Sequence, residues 1–394
     1  MKITIIGVND QFPQFSEEVT LEINSSHCFA GGKRHHDLVK SILPDNHNWC
    51  SVVAPLESLI ETIRKSSENW IVFASGDPLF FGIGNTLKRE FPDAEIVVLP
   101  TFNSLQILGH KIGINYGEYH VISLTGRSWK VFDKALIEGV ERMSVLTDRK
   151  KTPASIASRM LEFGYVNYRM LYGEKIGGDE ERILELTLEE ALSLDFKHPN
   201  CFFLEKTNET IPVKGIPETD FDPLAGRPRM ITKMPIRLTT LALMQLNQHR
   251  VFWDVGACTG SVSIEAKLNH PHLQVTAFEI RPESEGIIMR NARKFQTPGI
   301  QLVMGDYLKV SKKELAFPDA VFIGGYGGKM EKVLDDVNKY LQSNGVIGFN
   351  SVSSESLNRF LDWCSHNQFE ITQQQQIQVD DHNPISILVA QKIN

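Results

Sequence analysis

The stretch Phe252-Trp253-Asp254-Val255-Gly256-Ala257-Cys258-Thr259-Gly260-Ser261 opens as a short apolar run and breaks into small residues. It restarts with helical character through Val262-Ser263-Ile264-Glu265-Ala266. The spacing predicts a strand, a tight turn and a helix start, in which backbone amides can approach a ligand closely. Ala257, Cys258 and Thr259 are small enough for a nucleotide to lie against the main chain. A further strand-like run, Val275 to Ile280, places Glu279 about twenty residues on, where an acid would hold a ribose hydroxyl pair.

The turn reads G-x-x-x-G, and Asp254 sits two residues before its first glycine. A dinucleotide fold needs G-x-G-x-x-G, whose third glycine lets helix and strand pack closely. A nicotinamide-dependent oxidoreductase is therefore the weaker nucleotide reading. An acid inside the strand suits a cationic, donor-rich ligand, and S-adenosylmethionine fits.

At 394 residues the chain exceeds one typical core, so two domains are expected. The net charge of −7 supplies no basic excess for nucleic acid or a membrane surface, so an anionic substrate needs a local basic cluster. Cys28, Cys50, Cys201, Cys258 and Cys364 are scattered without a C-x-x-C pair, which points to a reducing compartment and to no metal site. The chain starts directly on a strand and has no run of transmembrane length, so a cytoplasmic location is expected. His35-His36 reads as a solvated pair.

The first half alternates strand and helix patterns, which predicts an α/β domain. Strands are expected at Ile3 to Gly7, Trp70 to Ala74, Ile96 to Leu99, Val121 to Leu124 and Met143 to Thr147. Ser104 is the expected helix cap after Pro100. Thr207 to Met230 contains four prolines and reads as linker and lead-in. Arg227, Arg229, Lys233 and Arg237 then cluster, a clamp suited to carboxylates. Thr232 could cap a helix from Pro235 to Leu246. Further on, β/α units end in two C-terminal strands, and Gln373 to Gln376 reads as a solvated edge.

Ser75-Gly76-Asp77-Pro78-Leu79-Phe80-Phe81-Gly82 resembles the SGDP-x-x-x-G turn of the tetrapyrrole methylases. Gly31 to Arg34, Pro100 to Ser104, Leu146-Thr147-Asp148 with Thr152-Pro153 and Ile156-Ala157, Tyr172 to Gly177 and Pro199 to Glu205 resemble the same family in the same order. That resemblance implies a tetrapyrrole-methylase α/β domain over residues 1–206. It would hold S-adenosylmethionine through Gly76, Asp77, Phe81, Thr101, Phe102, Asn103, Ser104, Thr147, Asp148 and Ala157. One segment departs: Gly7-Val8-Asn9-Asp10-Gln11 stands where the family carries G-x-G-P-G. This keeps open an alternative in which the N-terminal half only binds or assembles.

Residues 231–394 resemble the class I methyltransferases that act in late corrin synthesis, a Rossmann-like fold ending in an antiparallel strand pair. Gly215-Ile216-Pro217, Gly226-Arg227-Pro228, Thr232-Lys233, the Asp254 turn and Phe322-Ile323-Gly324-Gly325-Tyr326-Gly327-Gly328 carry the match. Cys258 replaces a usual glycine. The resemblance implies a second S-adenosylmethionine held by Thr232, Asp254, Gly256, Ala257, Cys258, Thr259, Gly260, Glu279, Asp306 and Tyr307, with the last two near the adenine. Arg227, Arg229, Lys233, Arg237, Gly324, Gly325 and Tyr326 would face the substrate. The fused order implies methylation of two meso carbons of a precorrin or cobalt-precorrin with loss of an acetate carboxyl. A homo-oligomer is the family expectation, and no general acid is assigned.

Overall fold

The computed structural model describes residues 1–9, 14–53, 55–209, 214–380 and 383–393. Asp10 and Gln11, at the end of the departing first turn, lie outside these described residues. The chain divides into two compact units. The first comprises Met1–Arg127, Glu141–Ala157 and Tyr168–Thr207; the second comprises Ser128–Val140, Ser158–Asn167 and Asn208–Asn394. Among the described residues no helix is long and apolar enough to cross a membrane.

The first unit contains two sheets. Strands β1 (Lys2–Val8), β2 (Cys28–Gly31), β3 (Asn48–Ser51), β4 (Trp70–Ser75) and β5 (Glu95–Leu99) form one in the order β3-β2-β4-β1-β5. All its neighbours pair in parallel. β1 and β4 lack polar alternation because both faces are covered. Ile3, Ile5, Trp70 and Val72 pack on one side, and Ile6, Val8, Ile71 and Phe73 on the other. Pro100, which has no amide hydrogen to donate, follows β5 directly. The helix Ser104–Ile112 is capped by Asn103, in reciprocal bonds with Gln106, and Ser104 is its first helical residue rather than its cap.

β6 (His120–Ser123), β7 (Arg142–Leu146), β8 (Tyr168–Glu174), β9 (Arg182–Thr187) and β10 (Asn200–Lys206) form the other sheet, ordered β6-β7-β10-β8-β9. Only β6–β7 is parallel.

The second unit is built on one sheet of β11 (Val251–Val255), β12 (Gln274–Glu279), β13 (Ile300–Met304), β14 (Ala320–Ile323), β15 (Val346–Ser351), β16 (Phe369–Ile377) and β17 (Ile385–Lys392). Its order is β13-β12-β11-β14-β15-β17-β16, parallel except for the expected C-terminal antiparallel pair. Trp253 and Val255 enter one core cluster and Phe252 the opposite one. The glutamine run lies on edge strand β16 and is largely exposed. The helix expected from Pro235 spans Met234–Leu243 with Lys233 before it, so Thr232 is not its cap.

Candidate functional site

In the second unit, β12 and β13 extend the sheet to one side of β11, and β14 and β15 to the other. The carboxyl ends of β11 and β14 therefore bound the crevice in which such sheets bind ligands. A cavity of about 670 Å³ opens there. Asp254, Gly256, Ala257, Cys258 and Thr259 line it from the turn, with Gly324 opposite and Arg229, Thr232 and Lys233 beside them.

Backbone geometry explains why this turn needs its glycines. Gly256 has φ +85°, and a Cβ there would lie 2.5 Å from the Gly325 nitrogen. The Gly324 and Gly325 amides both donate to the Val255 carbonyl, at 2.9 and 3.0 Å, pinning that loop to the end of β11. Cys258 also adopts a left-handed φ of +54°, which explains why glycine is the usual residue there. Its amide donates to Glu279 Oε2 at 2.7 Å, and its thiol donates to the Met230 carbonyl at 3.0 Å. Burial, then Glu279, pushes that thiol up to about 11, so it is no nucleophile at neutral pH.

Asp254 is wholly buried. Its Oδ2 accepts the Ser263 amide at 3.1 Å and the Ser263 hydroxyl at 2.6 Å, while Oδ1 has no partner. Burial pushes its carboxyl up to about 7, against the two Ser263 bonds. Thr259 Oγ1 is likewise buried and unpartnered. Two orphaned polar atoms on one cavity wall are what a donor-rich ligand would satisfy.

Several expected site residues are placed elsewhere. Arg237 is 0% exposed and pairs with Glu265 Oε2 at 3.1 Å. It also donates to the Thr232 carbonyl at 2.8 Å and to that of Ile216. It is a core ion pair, not a substrate clamp. Glu279 is 1% exposed, with Oε1 accepting the Ile280 and Arg281 amides and Oε2 the Cys258 amide. It braces the turn rather than facing the cavity. Tyr307 packs edge-on to Phe278 in the core under Lys312, and Asp306 accepts the Leu308 amide and meets Lys329 at 3.5 Å. Neither reaches the cavity wall, and neither do Arg227, Gly260, Gly325 and Tyr326.

Sequence reading missed Glu218 and Asn350 on the same wall. Asn350 sits at the carboxyl end of β15; its Oδ1 accepts from Thr240, and its buried Nδ2 has no partner. A polar residue closing an apolar parallel strand was the available signal.

The first unit has its own cavity, about 420 Å³, at the carboxyl edge of its parallel sheet. Gly76, Asp77, Phe81, Phe102, Asn103 and Ser104 line it. Gly76 has φ +59°, and a Cβ would lie 2.7 Å from the Asn103 Cα, so the turns after β4 and β5 touch. Thr101, Thr147, Asp148 and Ala157 are not on its wall. Thr147 donates to Asn200, Asp148 accepts the Gly126, Lys150 and Lys151 amides, and Ala157 is core. Asn9, Arg34, His35 and Asn200 are additional lining residues. His35-His36 is no solvated pair: His35 faces the cavity and His36 packs at 4.4 Å on Trp49.

Each of the two α/β units has a cavity at the carboxyl edge of a parallel sheet, the position at which nucleotide-type cofactors bind in folds of this class. Residues 23–192 match the tetrapyrrole (corrin/porphyrin) methylases, and residues 227–390 match the precorrin methyltransferase domain. The precorrin-6Y C(5,15)-methyltransferase (decarboxylating) of Sinorhizobium sp. is 30% identical over 358 residues, 90% of this chain and 85% of that protein. The cobalt-precorrin-6B C(15)-methyltransferase (decarboxylating) of Salmonella typhimurium is 33% identical over 36% of this chain and 73% of its own length. The cobalt-precorrin-7 C(5)-methyltransferase of the same organism is 27% identical over 46% of this chain and 88% of its own length. The chain belongs to the precorrin-6Y C(5,15)-methyltransferase (decarboxylating) family. Its methyl donor is S-adenosylmethionine.

Proposed function

We propose that the two units divide the family reaction on a precorrin or cobalt-precorrin between them. Residues 1–206 methylate one meso carbon; residues 231–394 methylate another and release carbon dioxide from an acetate side chain. The observation that supports this reading is that each unit has its own cavity, of about 420 and 670 Å³, at the position where such sheets bind ligands.

The residues present fit the cofactor. In the second unit Asp254 Oδ1 and Thr259 Oγ1 are orphaned on the cavity wall, and the Gly256 turn leaves no side chain in the way. Asp254, Gly256, Ala257, Cys258 and Thr259 would hold it there; Gly76, Asp77, Phe81, Asn103 and Ser104 would do so in the first unit. S-adenosylmethionine supplies an electrophilic methyl group on its sulfonium.

The chain's own task is to align the carbon to be methylated and to exclude water. Arg229 and Lys233 hold substrate carboxylates at the second cavity, and Asn350 Nδ2 offers a further donor. Decarboxylation leaves an electron pair that the conjugated macrocycle accepts, so this step needs the acetate positioned more than it needs an acid.

Calorimetric titration of S-adenosylhomocysteine into the full chain tests the reading. Two sites are expected. One site limits the claim to a single active unit, and none removes the methyltransferase reading.

A further inference from the structure

The first cavity contains a polar group of residues that the cofactor assignment leaves unused. Arg34 and His35 follow β2 in the helix Lys33–Val39, and Ser75 ends β4, the neighbour of β2 in the sheet. All three line the cavity, and Ser75 is exposed. Arg34 Nη2 donates to Ser75 Oγ at 2.6 Å, and His35 Nε2 lies 3.0 Å from the same oxygen.

The other ring nitrogen determines the direction of that second bond. His35 Nδ1 accepts the Gly32 amide at 3.2 Å, so a neutral ring carries its proton on Nε2. The ring is neutral at pH 7, because burial and then the Arg34 charge bring it down to about 4. Nε2–H therefore donates to Ser75 Oγ. With two donors arriving, both lone pairs of Oγ are used, and the hydroxyl proton is left for an outside acceptor.

We infer that Arg34 and Ser75 form a carboxylate-binding subsite of the first cavity, with His35 as a positioning residue that orients the Ser75 hydroxyl. A guanidinium beside a hydroxyl whose proton faces the same cavity is a charge-assisted donor pair for a carboxylate. Asp77 is the acid on that wall among the described residues. Its Oδ1 accepts the Leu79 amide at 2.8 Å, and its charge suits a ligand that also carries a cationic group. Two carboxylates match this chemistry: the amino-acid end of the methyl donor and an acid side chain of the macrocycle. The inference rests on the two-site reading above.

The test titrates S-adenosylhomocysteine, and 5′-methylthioadenosine, which lacks the amino-acid end, into the full chain and its variants. Two S-adenosylhomocysteine sites in the unaltered chain secure the two-site reading. Fewer than two removes that reading and the subsite with it.

With a cofactor carboxylate, Ser75→Ala weakens one of the two sites about tenfold and Arg34→Gln up to about a hundredfold, while 5′-methylthioadenosine binds as before. With a macrocycle carboxylate, S-adenosylhomocysteine binding stays and the substrate KM rises by similar factors at constant kcat. His35→Gln, which keeps an N–H donor, retains most of the affinity that His35→Leu loses. Unchanged binding and KM in both Ser75→Ala and Arg34→Gln overturns the subsite. Equal loss of S-adenosylhomocysteine and 5′-methylthioadenosine overturns it too.

Discussion

Arg237 shows how far a charge pattern can be read without burial. In the sequence it belongs to a basic cluster; in the fold it is sealed against Glu265, Thr232 and Ile216. Glu265 also accepts the Gly215 and Ile216 amides, so the pair ties the lead-in segment to the helix Ser261–Asn269. Removing one partner strands a buried charge. Arg237→Ala is therefore expected to cost about 3–5 kcal/mol of stability in the second unit, measured by denaturant unfolding. Substrate KM in the fraction that remains folded should hold.

Asp254 carries a prediction of opposite character. Its carboxyl stays protonated in the fold up to about pH 7 but only to the ordinary carboxylate range when unfolded. The folded state thus binds the extra proton between about pH 4 and about pH 7, and the stability this contributes is complete below that window and lost as pH rises through it. The loss amounts to roughly 4 kcal/mol. Unfolding free energies measured across this window should fall less steeply in Asp254→Asn than in the unaltered chain. Sequence alone located Asp254 because the acid interrupts an apolar strand; its orphaned oxygen depends on Ser263, a tertiary detail.

At the level of elements, the strands and helices around the sites were largely legible from apolar runs, prolines and glycines. The short strands β3 and β9 were not, because their exposed and half-buried residues, with Asn48 and Glu185 among the exposed, carry no clear period. Tyr307 was misplaced for a related reason: sequence gives its distance from β13 but not that its ring turns onto Phe278. The glycines separate by neighbourhood. Gly256→Ala drives a methyl group into the Gly325 backbone and is expected to abolish S-adenosylhomocysteine binding at the second site. Gly327 has φ +55° and nothing within 4 Å of an added Cβ, so Gly327→Ala should cost only about 1–2 kcal/mol and leave binding intact. Calorimetry and thermal unfolding of the two variants check the contrast.

For the molecule as a whole, the two-part plan was readable because two different strand-and-turn signatures occur in series. Sequence did not reveal that Ser128–Val140 and Ser158–Asn167 group with the second unit, since contiguous reading follows the chain and compactness does not. The separate cavities also have a genetic consequence. A defect confined to one cavity leaves the other intact, so alleles of this gene should fall into two complementation groups. A cell carrying one copy with Gly256→Val and another with its first cavity blocked should regain the doubly methylated product. Failure to regain it would show that both lesions must be repaired in the same polypeptide.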